Sequence, residues 1–145
     1  MRTAIAIASS GESPFGCVIA DWDTGCEIFR IANTSRRDPT AHAEVNAIRE
    51  AALRGLDFGD LVLVSTAEPC PMCASACWWA GMRGVVFGTS ISSLIRFGFR
   101  QIDLCVSGVI SRAHPAEPYF LLGDFLSEES DRLYQNHIQA KADNG

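Results

Sequence analysis

Short apolar runs alternate along the chain with polar stretches rich in turn residues, and the spacing within the runs switches between strand and helix periods. Arg2 to Ser10 reads as a short helix ended by Gly11. Phe15 to Ala20 reads as a strand, Asp21-Trp22-Asp23-Thr24-Gly25 as a turn, and Cys26 to Ala32 as the returning strand of a hairpin. After the polar loop Asn33 to Asp38 a helix is expected, with Asp38 or Thr40 as N-cap, Pro39 in its first turn and Gly55 as its stop. Ala41, Val45, Ile48 and Ala52 fall on one face of that helix. Leu61-Val62-Leu63-Val64 and Gly84-Val85-Val86-Phe87-Gly88 are continuous apolar runs, as expected of central strands covered on both faces. Between them, Pro71 to Ala80 reads as a helix that is apolar all round and therefore buried. Ile91 to Phe97 is expected as a helix, Ile102 to Cys105 as a last strand and Ser127 to Ala140 as a C-terminal helix. Helices and strands that alternate at this spacing require some parallel pairing, with helices on both faces. The pattern predicts an α/β fold, a three-layer α/β/α sandwich around a central mixed sheet, with residues 1–145 as one domain.

The 145-residue length fits that single domain, and an apolar share of 48 % supplies a core. No apolar run approaches the roughly 18 residues of a membrane helix. The short Ala4-Ile5-Ala6-Ile7-Ala8 stretch lacks the apolar core and cleavage site of a secretion signal, so a cytoplasmic location is expected. Net charge is −5, and the one dense basic pair is Arg36-Arg37. That balance argues against a nucleic-acid partner. Six cysteines without a secretion signal point to free thiols or a metal site rather than disulfides. Cys17, Cys26 and Cys105 sit in strand-like surroundings and read as small buried hydrophobes.

Two segments carry chemistry: Thr40-Ala41-His42-Ala43-Glu44 and Glu68-Pro69-Cys70-Pro71-Met72-Cys73. Each opens a helix. Cys70 and Cys73, three apart, share a helix face in the first turn, where the helix dipole favours thiolates. Two thiolates on a tetrahedral zinc sit roughly 4 Å apart or closer, which this spacing allows. His42 is the candidate third ligand. Cys77 lies about 10 Å along the axis from Cys70, too far for a short side chain to share the metal. Three protein ligands leave one position open, the arrangement of catalytic zinc. Glu44 lies beside the metal without binding it, placed to move protons to and from a water.

His42-Ala43-Glu44 followed by Pro69-Cys70-Pro71-Met72-Cys73 matches the H-x-E…P-C-x-x-C pattern of zinc deaminases. The chain resembles the cytidine-deaminase-like superfamily, and within it the nucleobase and tRNA-adenosine deaminase branch, bacterial guanine deaminases above all. The resemblance runs from Pro14-Phe15-Gly16 through these motifs to Trp79 and Val85-Val86-Phe87-Gly88, and fades beyond Gly98. It implies a hydrolytic deamination in which zinc activates a water. Glu44 takes the proton, passes it to a ring nitrogen and later protonates the leaving ammonia. It also implies that Asn33 bonds the substrate and that Trp79 packs on its ring, with Phe15 lining the pocket. The chain departs from the pattern after Gly98-Phe99, where resembling guanine deaminases carry acids and this chain has Arg100-Gln101. Asp103 or Glu117 is a candidate replacement acid. In the resembling enzymes the C-terminal segment is exchanged between the two subunits of a dimer. A homodimer is therefore expected here, with about residues 106–145 covering the site through Leu122, Phe125, Leu133, Tyr134 and Ile138.

Each assignment has a plainer counterpart. Asn33 also suits a turn. Trp79 and Phe15 also suit a core. Glu44 alone suits a solvated helix. His114 and His137 read as surface residues, and Arg96 with Arg100 as a solvated face, with a loop near the pocket mouth as the alternative. The expected partner is a small heterocyclic base, guanine first and the triazine ammeline close behind, with no membrane. The alternatives are a tRNA adenosine-to-inosine deaminase, a cytosine deaminase and a non-catalytic zinc-binding module. Against the tRNA reading stand a single lysine, Lys141, and the acidic run Ser127-Glu128-Glu129-Ser130-Asp131 at the start of the last helix.

Overall fold

The computed structural model describes residues 1–143. Its strands are β1 (Gly16–Asp21), β2 (Glu27–Ala32), β3 (Leu61–Ala67), β4 (Gly84–Thr89) and β5 (Phe120–Leu122). The helices are α1 (Arg2–Ser9), α2 (Ala43–Leu53), α3 (Pro71–Trp79), α4 (Ile91–Arg96), α5 (Val106–Ile110) and α6 (Ser127–Asp143). The strands form one mixed sheet in the order β2-β1-β3-β4-β5. β1 runs antiparallel to both β2 and β3, whereas β3, β4 and β5 are parallel. This is the expected α/β architecture. α3 contacts both α2 and α5, and α1 contacts α6. Among the described residues no helix is long and apolar enough to cross a membrane.

The hairpin forms where the turn residues place it. Asp21 accepts from the backbone and hydroxyl of Thr24, at 2.8 and 2.7 Å, and Gly25 takes φ +68°. β3 is covered on both faces, as its continuous apolar run requires, and it continues past Val64 to Ala67. Along β1, Cys17 and Ile19 join the main core, which also holds Ala43, Ala47 and Ala51 of α2 and Ala74 and Cys77 of α3. A second, smaller core surrounds Tyr134 of α6, with Phe15, Phe99 and Leu94.

Several expectations need correction. α2 starts later than Thr40, with His42 as its N-cap, because Asp38 turns the chain by accepting from Thr40 N and Oγ1. Its buried stripe is Ala43, Ala47 and Ala51 instead of Ala41, Val45, Ile48 and Ala52. Alanines let the helix axis lie close to the sheet, and the larger residues pack at the flanks. α3 is not buried all round: Trp79 is 79 % exposed and Met72 39 %. Ile102 to Cys105 is not a strand. Ile102 is 66 % exposed, and the chain turns there to start α5, so its alternating pattern has no sheet edge to join. The last strand is β5. Cys17 is buried, but Cys26 and Cys105 are exposed, and all six cysteines are free.

α6 packs on β4. Tyr134 is fully buried and donates to Thr66 Oγ1 at 2.8 Å, while Thr89 donates to Ser130 Oγ at 3.0 Å. Gly88 makes that approach possible, since a Cβ there falls 2.8 Å from Ser130 Cβ and 2.9 Å from Thr66 O. Gly88→Ala should therefore displace α6 and cost about 1–3 kcal/mol of stability, the usual toll of overpacking. Urea unfolding reads this directly, and an unchanged midpoint would mean that α6 does not rest on Gly88.

Candidate active site

α2 and α3 begin side by side. Their N-caps are His42 (φ −63°, ψ 156°) and Cys70 (φ −61°, ψ 165°), and neither side chain caps its own helix. Pro71 starts α3 because its missing N–H belongs to the first turn, where no intrahelical partner exists. Both side chains are thereby free to point at a common spot, and Cys73 joins them from the first turn of α3. Cys70 Sγ lies 3.6 Å from Cys73 Sγ, and His42 Nδ1 lies 3.7 and 3.6 Å from the two sulfurs. Among the described residues this is the one group of three or more His, Cys, Asp or Glu donors that converges tightly enough to hold a metal ion.

The donor set fits zinc. A tetrahedral ion with Zn–S of about 2.3 Å and Zn–N of about 2.05 Å separates its donors by about 3.8 Å (S to S) and about 3.6 Å (S to N). The triangle matches both edges. Cys77 is fully buried and outside the group, so three protein donors leave a tetrahedral ion one open position. Cys70 is held down to about 4, first by its hydrogen bond with Cys73 and also by His42. The same bond and burial push Cys73 up. The hydrogen bond with Cys70 raises His42.

Glu44 is 4 % exposed in the first turn of α2. Its Oε1 accepts from Ser65 Oγ at 3.1 Å, and its Oε2 lies 3.6 Å from Cys73 Sγ. Burial raises its carboxyl above the usual range. It is a buried carboxyl beside the metal site and stands outside the three-donor group.

A pocket of about 240 Å³ opens onto this group. His42, Glu44 and Cys70 line it together with Phe15 and Asn33, and Cys73 completes the metal triangle just behind. Trp79 is not brought here. It follows Cys73 by six residues, about 9 Å along α3 and on another side of the helix. It sits with Trp78, Val109 and Ile110 around a separate depression. Asn33 Oδ1 accepts from Ser35 N at 2.6 Å, which leaves its amide N–H groups for a ligand. Neither Asp103 nor Glu117 lines the pocket, and Glu117 borders a different hollow beside Tyr119. Arg100 lines the pocket with Phe99 and Gln101, which fits the pocket-mouth alternative rather than a purely solvated face. His137 stacks on Phe99 at 6.2 Å, and His114 borders the Trp79 depression.

Sequence reasoning also passed over Ser65 and Glu68. Glu68 is 6 % exposed, and its two oxygens accept from Ile91 N and Val106 N, each at 2.8 Å. It ties the loop before Cys70 to the starts of α4 and α5. Its sequence signal was its place, an acid at the end of an apolar strand with no cation near it in the chain.

A mixed sheet under two helices that start at an open His-Cys-Cys site, with a buried carboxyl alongside, defines a zinc-type hydrolytic deaminase. Residues 1–89 match the cytidine and deoxycytidylate deaminase zinc-binding region, and the chain belongs to that family. A guanine deaminase of Bacillus subtilis is 36 % identical over 68 % of this chain and 68 % of its own. A probable cytosine deaminase of Schizosaccharomyces pombe is 28 % identical over 90 % of this chain and 85 % of its own. The solved structure from a study of A-to-I editing by tRNA:A34 deaminases superposes with TM-score 0.74 at 26 % identity, covering 92 % of this chain and 96 % of that one.

Cys70→Ala and Cys73→Ala should each lose bound zinc by metal analysis, whereas Cys77→Ser should keep it. Full retention in either alanine variant would break the ligand assignment, and loss in Cys77→Ser would overturn the axial-distance argument.

Proposed function

We propose that this chain hydrolytically deaminates a free aminated heterocyclic base, a purine such as guanine or a related triazine, and releases ammonia. The observation that carries this is the buried Glu44 carboxyl 3.6 Å from Cys73, beside a three-donor metal site that opens into a small pocket. Zinc held by His42, Cys70 and Cys73 supplies Lewis-acid activation of water. Glu44 accepts the proton released there, since its raised affinity for protons suits a group that must take one and give it back near neutral pH. Ser65 fixes Oε1, leaving Oε2 as the working oxygen that hands the proton to a ring nitrogen and then to the departing ammonia. Asn33 donates to an acceptor on the ring edge, and Phe15 and Phe99, packed edge to face at 5.7 Å, give the ring one apolar wall.

Net charge of −5, one lysine and acidic Glu128 and Glu129 in the first turn of α6 give little purchase on an RNA backbone. The decisive experiment is ammonia release from a panel of bases, with and without a chelator. Turnover of a purine or triazine that the chelator abolishes is the expected result. Steeply salt-dependent turnover of a tRNA stem-loop, with every free base untouched, would replace this reading with the tRNA one.

Glu44→Gln should retain zinc and the fold but lose turnover by about 10²–10⁴-fold or more, the range for general acid–base catalysis. A variant that keeps most of its kcat would remove Glu44 from the mechanism.

A further inference from the structure

The charged side chains of the pocket wall are His42, Glu44, Glu68 and Arg100. The first three are committed. His42 belongs to the metal triangle, Glu44 stands beside Cys73, and Glu68 spends both oxygens on backbone N–H groups. Among the described residues the Arg100 guanidinium makes no ion pair, hydrogen bond or ring contact. Most other arginines do have partners: Arg2 with Glu129, Arg54 with Glu50, Arg96 with Ser93. The free charge of the pocket is therefore positive.

Arg100 is solvent-exposed, but its backbone is not loosely held. Phe99 N donates to Leu94 O at 2.9 Å. The Phe99 ring wedges against Phe15 and Tyr134 at centroid distances of 5.7 and 5.4 Å. The stretch that follows ends at Val106, which Glu68 clamps. A guanidinium carries five N–H donors and no acceptor, so it favours an oxygen or an anion and rejects another donor. Asn33, whose Oδ1 is spent on Ser35, adds a second donor to the same wall.

We propose that Arg100 is a specificity-determining residue that selects aminated rings presenting an oxo group or an ionised substituent, and disfavours rings with an amino group in that place. This rests on the reading of the site as a deaminase of free bases, and it narrows that substrate class to oxo-bearing amino heterocycles.

The test uses two purines that differ at one position, guanine with its 6-oxo group and 2,6-diaminopurine with a 6-amino group. Titration calorimetry on the zinc-loaded Glu44→Gln protein reads both Kd values without turnover. The expected preference for guanine is about tenfold or more, the scale of a charge-assisted hydrogen bond. Arg100→Met in the same background should shrink the ratio of the two Kd values about tenfold, and Arg100→Lys should restore part of it. Zinc content, measured in parallel, should not change. An equal Kd for both rings with Arg100 present, or a ratio that Arg100→Met leaves alone, overturns the role of Arg100 while the free-base reading stands. If neither ring binds although zinc is present, both the role and the base reading fall.

Discussion

The structure depends on two helices starting at one point. An α-helix leaves its first N–H groups unpaired and its N-terminus partially positive. α2 and α3 set two such ends against each other, with His42 and Cys70 as the N-caps. Here the cap side chains satisfy no backbone group, so the helices give up the usual capping contribution of about 1 kcal/mol each. What they gain is a place where thiolates and a carboxylate can sit close together. Cys70, Cys73 and Glu44 would repel one another in a neutral interior. Two helix ends oppose that repulsion, and a divalent ion held by His42, Cys70 and Cys73 would oppose it further, so this cluster suits these termini and not the helix sides.

Around that point the chain uses uncharged or backbone partners to fix its acids. Ser65 holds Glu44, and among the described residues no cation forms an ion pair with either Glu44 or Glu68. The choice has a chemical consequence. An arginine beside Glu44 would lower its pKa. A serine hydroxyl orients the carboxylate without neutralising it, so burial keeps control and moves the pKa upward. Glu68 uses the same device for a mechanical end. Two backbone N–H groups from different helices reach one carboxylate, and the loop carrying Cys70 is joined to the segment that walls the pocket.

Much of this was legible in the sequence because it is local. The ligand spacing, the Pro at the start of α3 and the alternation of strands and helices are all short-range patterns, and His42, Glu44, Cys70 and Cys73 meet as their motifs imply. The failures are long-range. Arg100 follows the zinc motif by some thirty residues, and only the packing of Phe99 under Tyr134 turns it toward the pocket. Trp79 is in the right helix for a ring-stacking role, but helical phase carries it past the site. Ile102 and Leu104 carry strand-like alternation, yet Glu68 claims the backbone that follows and a helix begins. α2 misled for a different reason. The eye follows valine and isoleucine, whereas close helix-to-sheet approach selects the alanines.

The contrast between Cys73 and Cys77 shows what separates a metal ligand from a core thiol on a single helix. Both are fully buried, and they are one helical turn apart. Cys77 lies inside the apolar core with Ala74 and Met82, where burial pushes its thiol up and holds it protonated. Cys73 is equally dry, but it lies within 3.6 Å of a second sulfur and of the imidazole. Desolvation opposes ionisation at both positions. Only at Cys73 does a cation binding to the neighbouring donors repay that cost, so ionisation and metal binding occur together or not at all. One turn of helix thus decides the coordination number. With Cys77 excluded, three protein donors would leave a bound tetrahedral ion one open position.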